Sequence, residues 1–301
     1  MEIKLSICVV TMNRADQLKE ALESCFACNL PSNTEFVIID NASTDATEQV
    51  VKESFRKNIY SFIYEKMKVN LGCGGGRNYA YNKTTGEYIY MLDDDAVVDS
   101  ENVNFFVDAL KLLDSNKDII TLTTQIYDTV WKRNRVESYG RKISSHLYEC
   151  MMFCGGSHFI RKSFFESSPY LSNKYGYEEL YPSLMVTNAK KMNVFVSNLL
   201  IIHKPRVNKW NYNVDEQAKM VLLNGYAVMY AIKKMMYPNW IQFILWLVFK
   251  ARQLVYLSRI KGYRKKSRDI IKYTVDNYFI NSRISNRTFF YLLRYFKQSS
   301  L

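Results

Sequence analysis

The chain has 301 residues, 48% hydrophobic and 23% charged, a balance that excludes a disordered polypeptide and leaves ample length to bury a core. Its net charge of +12 is unevenly placed: 18 of the 41 Lys and Arg, but only 4 of the 29 Asp and Glu, follow residue 205. The basic excess therefore lies in the last third, where it favours phosphates, either on nucleic acid or on anionic lipid.

Residues 5–10 are an almost unbroken apolar, β-branched run, which reads as a buried strand ending at Thr11, Met12, Asn13 and Arg14. Leu18, Ala21, Leu22 and Cys25 then recur at helical spacing. Residues 36–39 predict a second strand, stopped by Asp40 and Asn41. Ser43 or Thr44 is placed to cap the next helix, with Val50 and Val51 on its inner side. Residues 62–64 predict a third strand, followed by a glycine-rich loop over 70–78 and a helix around 77–82. Residues 88–92 predict a fourth strand, which runs into Asp93, Asp94 and Asp95. A helix over 103–113 and strands over 119–127, 151–160 and 194–202 are expected beyond it. Helices over 215–235 and 239–260 are separated by Tyr237 and Pro238, since proline starts or breaks a helix.

Strand and helix alternating at short spacing imply an α/β fold with a parallel sheet covered on both faces. Ligands of such sheets bind beyond the carboxyl ends of the strands. The polar clusters at 13–14, 40–41, 72–78 and 93–95 each follow a predicted strand and so converge on one crevice. Cys25 and Cys28 form an isolated CxxC, with no second pair for zinc. The first residues run straight into a strand with Glu2 and Lys4, without the apolar core of a secretory signal. The six cysteines are therefore expected as reduced, buried thiols in the cytoplasm.

Three adjacent carboxylates at a strand end repel one another unless a cation or hydrogen bonds relieve them. Alternate residues of an extended segment point the same way, so Asp93 and Asp95 can share a target. Their hard oxygens suit Mn²⁺ or Mg²⁺, ions that bind diphosphates. The glycines from Gly72 to Gly76 let backbone approach a ligand closely, and Arg77 can pair with a phosphate or hold a carboxylate. The loop is neither a Walker loop nor a dinucleotide fingerprint, because the Lys-Ser/Thr pair and the G-x-G-x-x-G spacing are missing.

Four segments carry a family resemblance. Ser6 to Arg14 resembles the opening strand and loop of family 2 glycosyltransferases. Val37 to Asp45 resembles their second strand and acidic turn, Asn70 to Asn78 their glycine loop, and Leu92 to Asp95 their DxD motif. The resemblance runs to about residue 205 and does not cover the last third. It implies a GT-A fold: a nucleotide-sugar-binding parallel or mixed sheet flanked by helices, here with a helical C-terminal extension. The catalytic domain would occupy 1–205, with a nucleotide-binding half over 1–100 and an acceptor half over 101–205. A basic helical region would occupy 206–301.

By the same resemblance, Thr11, Asn13, Arg14, Asp40, Asn41, Gly72, Gly76, Arg77, Asp93 and Asp94 bind the nucleotide-sugar, with Asp40 on a uracil or thymine base and Asp93 near the ribose. Asp95, Asp93 and His203 hold Mn²⁺ or Mg²⁺. Residues 155–162 resemble the family's central strand, where His158 can face the donor. Tyr177-Glu178-Glu179-Leu180 resembles its Glu-Asp motif, whose Asp deprotonates the acceptor. Glu179 stands in the place of that Asp, so either Glu179 or Glu178 is the implied base. A helix N-terminus should keep it ionised. The implied reaction is an inverting transfer from a UDP- or dTDP-sugar to a glycan or lipid-linked acceptor, in cell-surface polysaccharide synthesis.

Residues 240–249 are strongly apolar yet far too few to span a bilayer. Lys250, Arg252, Arg259, Lys261, Arg264, Lys265, Lys266 and Arg268 follow. Aromatic, apolar and then basic residues suit a helix lying on the inner face of the cell membrane; the competing reading packs it on the catalytic domain or on a second subunit as a homodimer. A nucleic-acid-binding protein and a nucleotidyltransferase are the alternative functions. The aromatics do not interleave with the basic residues as a stacking platform, so no nucleic-acid partner is expected. The first loop lacks the glycines of a nucleotidyltransferase.

Overall fold

The computed structural model describes residues 2–135, 139–172, 176–205, 216–278, 280 and 283–296. Eleven strands form one mixed sheet. Its first half is parallel: β1 (Leu5–Thr11), β2 (Thr34–Asp40), β3 (Ser61–Lys66) and β4 (Tyr88–Asp93) run in the order β3-β2-β1-β4. Beyond β4 the order continues through β10 (Ser157–Arg161), β6 (Ile119–Asp128), β11 (Met192–His203), β9 (Leu147–Cys150) and β8 (Tyr139–Lys142). β10 is antiparallel to both its neighbours, whereas β6 and β11 are parallel. Two short strands, β5 (Ala96–Val98) and β7 (Arg133–Asn134), pair with β11 and β6.

β1 and β2 bury nearly every side chain, as their unbroken apolar runs require, because helices cover both faces. On one face lie α1 (Ala15–Phe26), α2 (Thr47–Arg56) and α4 (Phe105–Ser115), whose Leu18, Leu22, Val51, Phe55 and Phe106 share a core with the inward residues of β1, β2 and β4. α3 (Gly72–Lys83) and α5 (Leu180–Asn188) lie on the other, with Ala80, Tyr81 and Val186 in its core.

Several local expectations need correction. The glycine segment is not a loop but the first turn of α3. A Cβ on Gly76 would drive into Val10, so the glycine is there to let α3 cross the end of β1 closely. Ser43 and Thr44 do not cap α2. Ser43 Oγ instead accepts from the Asn13 N–H, and Asp45 Oδ1 accepts from the N–H of Thr47. Residues 151–156 are not strand, and β10 begins at Ser157. Cys25 is buried and Cys28 half-buried, both as free thiols.

The C-terminal third is helical: α6 (Glu216–Met236), α7 (Gln242–Arg252), a π-turn (Gln253–Leu257), α8 (Tyr263–Asn277) and α9 (Asn286–Tyr295). Pro238 divides α6 from α7, as expected. Val228, Ile232, Leu245, Phe289 and Leu292 share a core with Met151, Leu171, Leu180 and Leu184, so these helices brace the start of α5. Tyr291 also donates its hydroxyl to the buried Glu149 of β9, at 2.6 Å.

Candidate active site

The carboxyl ends of β1, β2, β4, β6 and β11 carry the polar residues. β4 ends in Asp93, and the Asp94–Asp95 turn leads into β5. β5 pairs with the end of β11, and Ala96 lies opposite His203. That pairing brings Asp95 Oδ1 within 3.3 Å of His203 Nε2. One ligand atom each from Asp93, Asp95 and His203 lies within 4.8 Å of the others. Two hard carboxylates and an imidazole suit Mn²⁺ or Mg²⁺ in charge and donor type, so the three residues named from sequence fit such an ion.

Burial works against a charged imidazole at His203, but Asp95 and Asp128 outweigh it and hold its pKa above the usual range. At Asp93 burial also disfavours charge, and Arg77, His203 and Arg135 together keep the carboxyl below its ordinary value. Arg14 Nη1 lies 2.7 Å from both Asp94 Oδ1 and Asp95 Oδ2. The acidic turn is therefore relieved from two sides.

Arg77 joins this cluster to a second one. It is 5% exposed. Its Nη2 lies 2.7 Å from Asp93 Oδ1, and its Nη1 lies 2.8 Å from both Glu178 Oε1 and Glu179 Oε1. Of the two roles open to Arg77 in the sequence, the structure has it holding carboxylates. Glu178 and Glu179 immediately precede α5, behind two left-handed residues, Gly176 (φ 87°) and Tyr177 (φ 62°). A positive φ at tyrosine is strained, as is common where a fold aims a functional group. Ionisation of Glu179 at the helix N-terminus is not what the structure supports. Burial, reinforced by Glu178, pushes its pKa up to about 8 despite Arg77.

Gly155 faces this pair. A Cβ there would overlap Glu179 Oε1 and the Arg77 guanidinium. Gly155→Ala is therefore expected to separate Arg77 from Glu179. Whatever reaction this site performs should fall at least about a hundredfold, the scale of a misplaced catalytic group, with a lowered Tm measured alongside.

Thr11 and Asp40 are register partners at the ends of β1 and β2. Asn13 takes a left-handed φ of 53°, and its side-chain oxygen accepts from the Thr44 N–H at 2.7 Å. Asn41 Nδ2 donates to the Gly72 carbonyl, joining β2 to α3. Asp40 is fully buried: the Ser43 N–H donates to Oδ1 and the Tyr64 hydroxyl to Oδ2, each at 2.7 Å. His158 does not face the crevice. It is packed against Phe153 and Tyr170, with Nδ1 at 2.8 Å from the Cys154 carbonyl and its pKa held down to about 3 by burial and Arg77.

Sequence reasoning missed Asp128 and Arg135. Asp128 ends β6 opposite His203 in register, and its Oδ2 lies 2.9 Å from His203 Nδ1. The available signal was an acid directly after an apolar strand, as at Asp40 and Asp93. Arg135 Nη2 lies 2.9 Å from His203 Nδ1 and 3.6 Å from Asp128 Oδ2, and no sequence pattern announces it. A carboxylate behind a ligating histidine fixes its ring and raises its basicity. Asp128→Asn is expected to weaken Mn²⁺ binding by about 10–100-fold in a direct metal titration.

The family model for glycosyl transferase family 2 matches residues 6–168. The poly(ribitol-phosphate) β-N-acetylglucosaminyltransferase TarS of Staphylococcus aureus is 30% identical over 122 residues, 40% of this chain and 20% of TarS. The structure of TarS 1–349 in complex with UDP-GlcNAc aligns at TM-score 0.61 and 18% identity, over 88% of this chain and 76% of that one. A mannosyltransferase from Pyrobaculum calidifontis in complex with GDP-Man and Mn²⁺ aligns at TM-score 0.60 and 14% identity, over 93% and 77%. These likenesses give the fold as GT-A. The chain spans less than half the length of the curated relatives it matches: a glycosyltransferase from Methanocaldococcus jannaschii is 29% identical over 124 residues, 41% of this chain and 41% of that one. With its acidic turn, its carboxylate pair and more than half its length matched, the chain belongs to glycosyl transferase family 2.

Proposed function

We propose that the chain transfers a sugar, with inversion, from a UDP- or dTDP-sugar to a glycan or lipid-linked acceptor in the synthesis of a cell-surface polymer. The work would be done at the cytoplasmic face of the membrane, with Mn²⁺ or Mg²⁺ held by Asp93, Asp95 and His203. The observation that carries this reading is Arg77, which ties the metal-type cluster to the Glu178–Glu179 pair within a single guanidinium. A divalent ion there would neutralise charge on a nucleoside diphosphate leaving group.

The chain's own residues do the rest. Asn13 and Arg14 border the nucleotide side, the buried Thr11, Asp40 and Asn41 lie behind them, and Asp93 lies toward the ribose. Glu179 takes the proton of the acceptor hydroxyl as that oxygen bonds to the anomeric carbon. The bond from this carbon to the diphosphate oxygen breaks in the same displacement, which inverts the centre. A pKa of about 8 places the base near neutral pH, where proton transfer is most efficient. Glu178 keeps it there, with one oxygen on Arg77 and Oε2 without a hydrogen-bond partner among the described residues.

The UDP-sugar bound to TarS supports uridine, and the GDP-Man of the Pyrobaculum enzyme makes guanosine the donor to be separated from it. A thermal-shift panel of UDP-, dTDP- and GDP-sugars with and without Mn²⁺ tests the reading. Stabilisation by a UDP- or dTDP-sugar, dependent on Mn²⁺ and lost in Asp95→Ala, is the expected result. Stabilisation by GDP-sugars alone would overturn the donor. Release of pyrophosphate instead of a nucleoside diphosphate on turnover would make the chain a nucleotidyltransferase.

A further inference from the structure

We infer that the chain docks on an anionic lipid surface through the outward face of α7 and its π-turn. This deepens the membrane placement proposed above and rests on it, but the contact is argued from the geometry of 240–257. Every fourth residue of this stretch, Ile241, Leu245, Phe249, Gln253 and Leu257, is buried. One stripe of the helix therefore faces the protein, and a solvated helix would carry polar residues opposite it.

The opposite side is apolar instead. Phe243 and Val255 are each 68% exposed, Leu254 57% and Trp240 51%, with Trp246 and Leu247 beside them. Phe290 of α9, itself 57% exposed, stacks on Trp240 at 5.7 Å and widens the patch. Single exposed apolar residues are ordinary, but a run of large ones on one face marks a contact surface.

Charge selects the partner. The sequence has no acid between Glu216 and Asp269, while Lys250, Arg259, Lys261, Arg264, Lys265, Lys266 and Arg268 fall within that span. Lys250 borders the apolar face, with its Nζ 5.9 Å over the Trp246 ring and 3.4 Å from Gln253 Oε1, so a cation sits beside the exposed tryptophan. Tryptophan and phenylalanine beside a lysine, in a basic span of sequence without an acid, match the chemistry of a headgroup layer over acyl chains. A second copy of the chain would bring two surfaces of like charge together, which association penalises. No helix among the described residues is long and apolar enough to cross a membrane, so the contact lies in the plane of the surface.

Flotation of the full chain with vesicles of phosphatidylcholine alone, or mixed with phosphatidylglycerol, tests this. The chain should float with the anionic vesicles at least about tenfold more than with the neutral ones, as basic side chains near an anionic surface imply. Phe243→Ser with Val255→Ser should remove the binding while leaving the nucleotide-sugar thermal shift unchanged. Equal flotation of the double variant and the parent would overturn the inference. So would a parent that stays unbound, or one that is dimeric by light scattering and becomes monomeric in the variant, which would assign the face to a second copy. Flotation with no response to any nucleotide-sugar would sink the catalytic reading and leave the docking surface standing.

Discussion

Arg77→Ala should abolish transfer and also destabilise the fold, by about 3–5 kcal/mol, the scale for removing one partner of a buried ionic cluster. For a chain of this size that corresponds to a Tm lowered by roughly 6–15 °C. Both effects have one cause. Asp93, Glu178 and Glu179 all place an oxygen within 2.8 Å of the same guanidinium, and without it the buried Glu178 and Glu179 lose the cation they share. Arg77→Lys should rescue little of the activity, since an ammonium is a point charge and cannot fork toward carboxylates on opposite sides. Adding Glu178→Gln and Glu179→Gln to Arg77→Ala should return much of the stability and none of the activity, because residues sharing one network are strongly non-additive. Thermal unfolding and nucleoside diphosphate release, measured on the same preparations, check the pair of effects. If Arg77→Ala kept activity within tenfold of the parent, the guanidinium would not be the link between the two halves of the site.

The residues at strand ends were legible because they follow runs whose periodicity is unambiguous. Thr11, Asp40 and Asp93 come immediately after apolar β-branched segments, and parallel neighbours bring such ends to one edge. The same rule reached His203, but the strand read over 119–127 stopped one residue short of Asp128. A single-residue error in a strand end thus hid the carboxylate behind the histidine. Gly76 was legible as a close approach, but not what it approaches. The sequence suggests a ligand, whereas the structure places Val10 there, because helix-to-strand spacing is a tertiary quantity. Arg77 offered two partners, a phosphate or a carboxylate. Choosing between them required knowing that α5 begins beside α3, a contact made by residues about a hundred positions apart. The antiparallel insertion of β10 was also out of reach, since strand order is set by long-range pairing that local pattern does not encode.

Glu179→Gln should give the second large effect, and its two consequences run in opposite directions. Loss of the base proposed above should lower kcat/KM by about 10²–10⁴-fold. Yet the folded protein should become more stable at alkaline pH. In the fold the Glu179 pKa is raised from its ordinary 4.5 to about 8, by burial and then by Glu178. Between those values the folded state holds a proton that the unfolded chain has released. The corresponding stability is present in full below the unfolded pKa and is lost as pH rises through the folded one. Stability of the parent should therefore fall from about pH 5 to about pH 8, while kcat/KM rises as the base deprotonates over the upper part of that range. Glutamine removes the titration, so the Tm should exceed that of the parent by about 2 °C or more at pH near 8.5 and the slope below it should flatten. Glu178→Gln separates the two acids. It removes the charge that raises the pKa of Glu179, so it should keep activity and move the acidic limb of the pH profile downward. A Glu178→Gln enzyme as inactive as Glu179→Gln, with its limb unmoved, would transfer the role of base to Glu178.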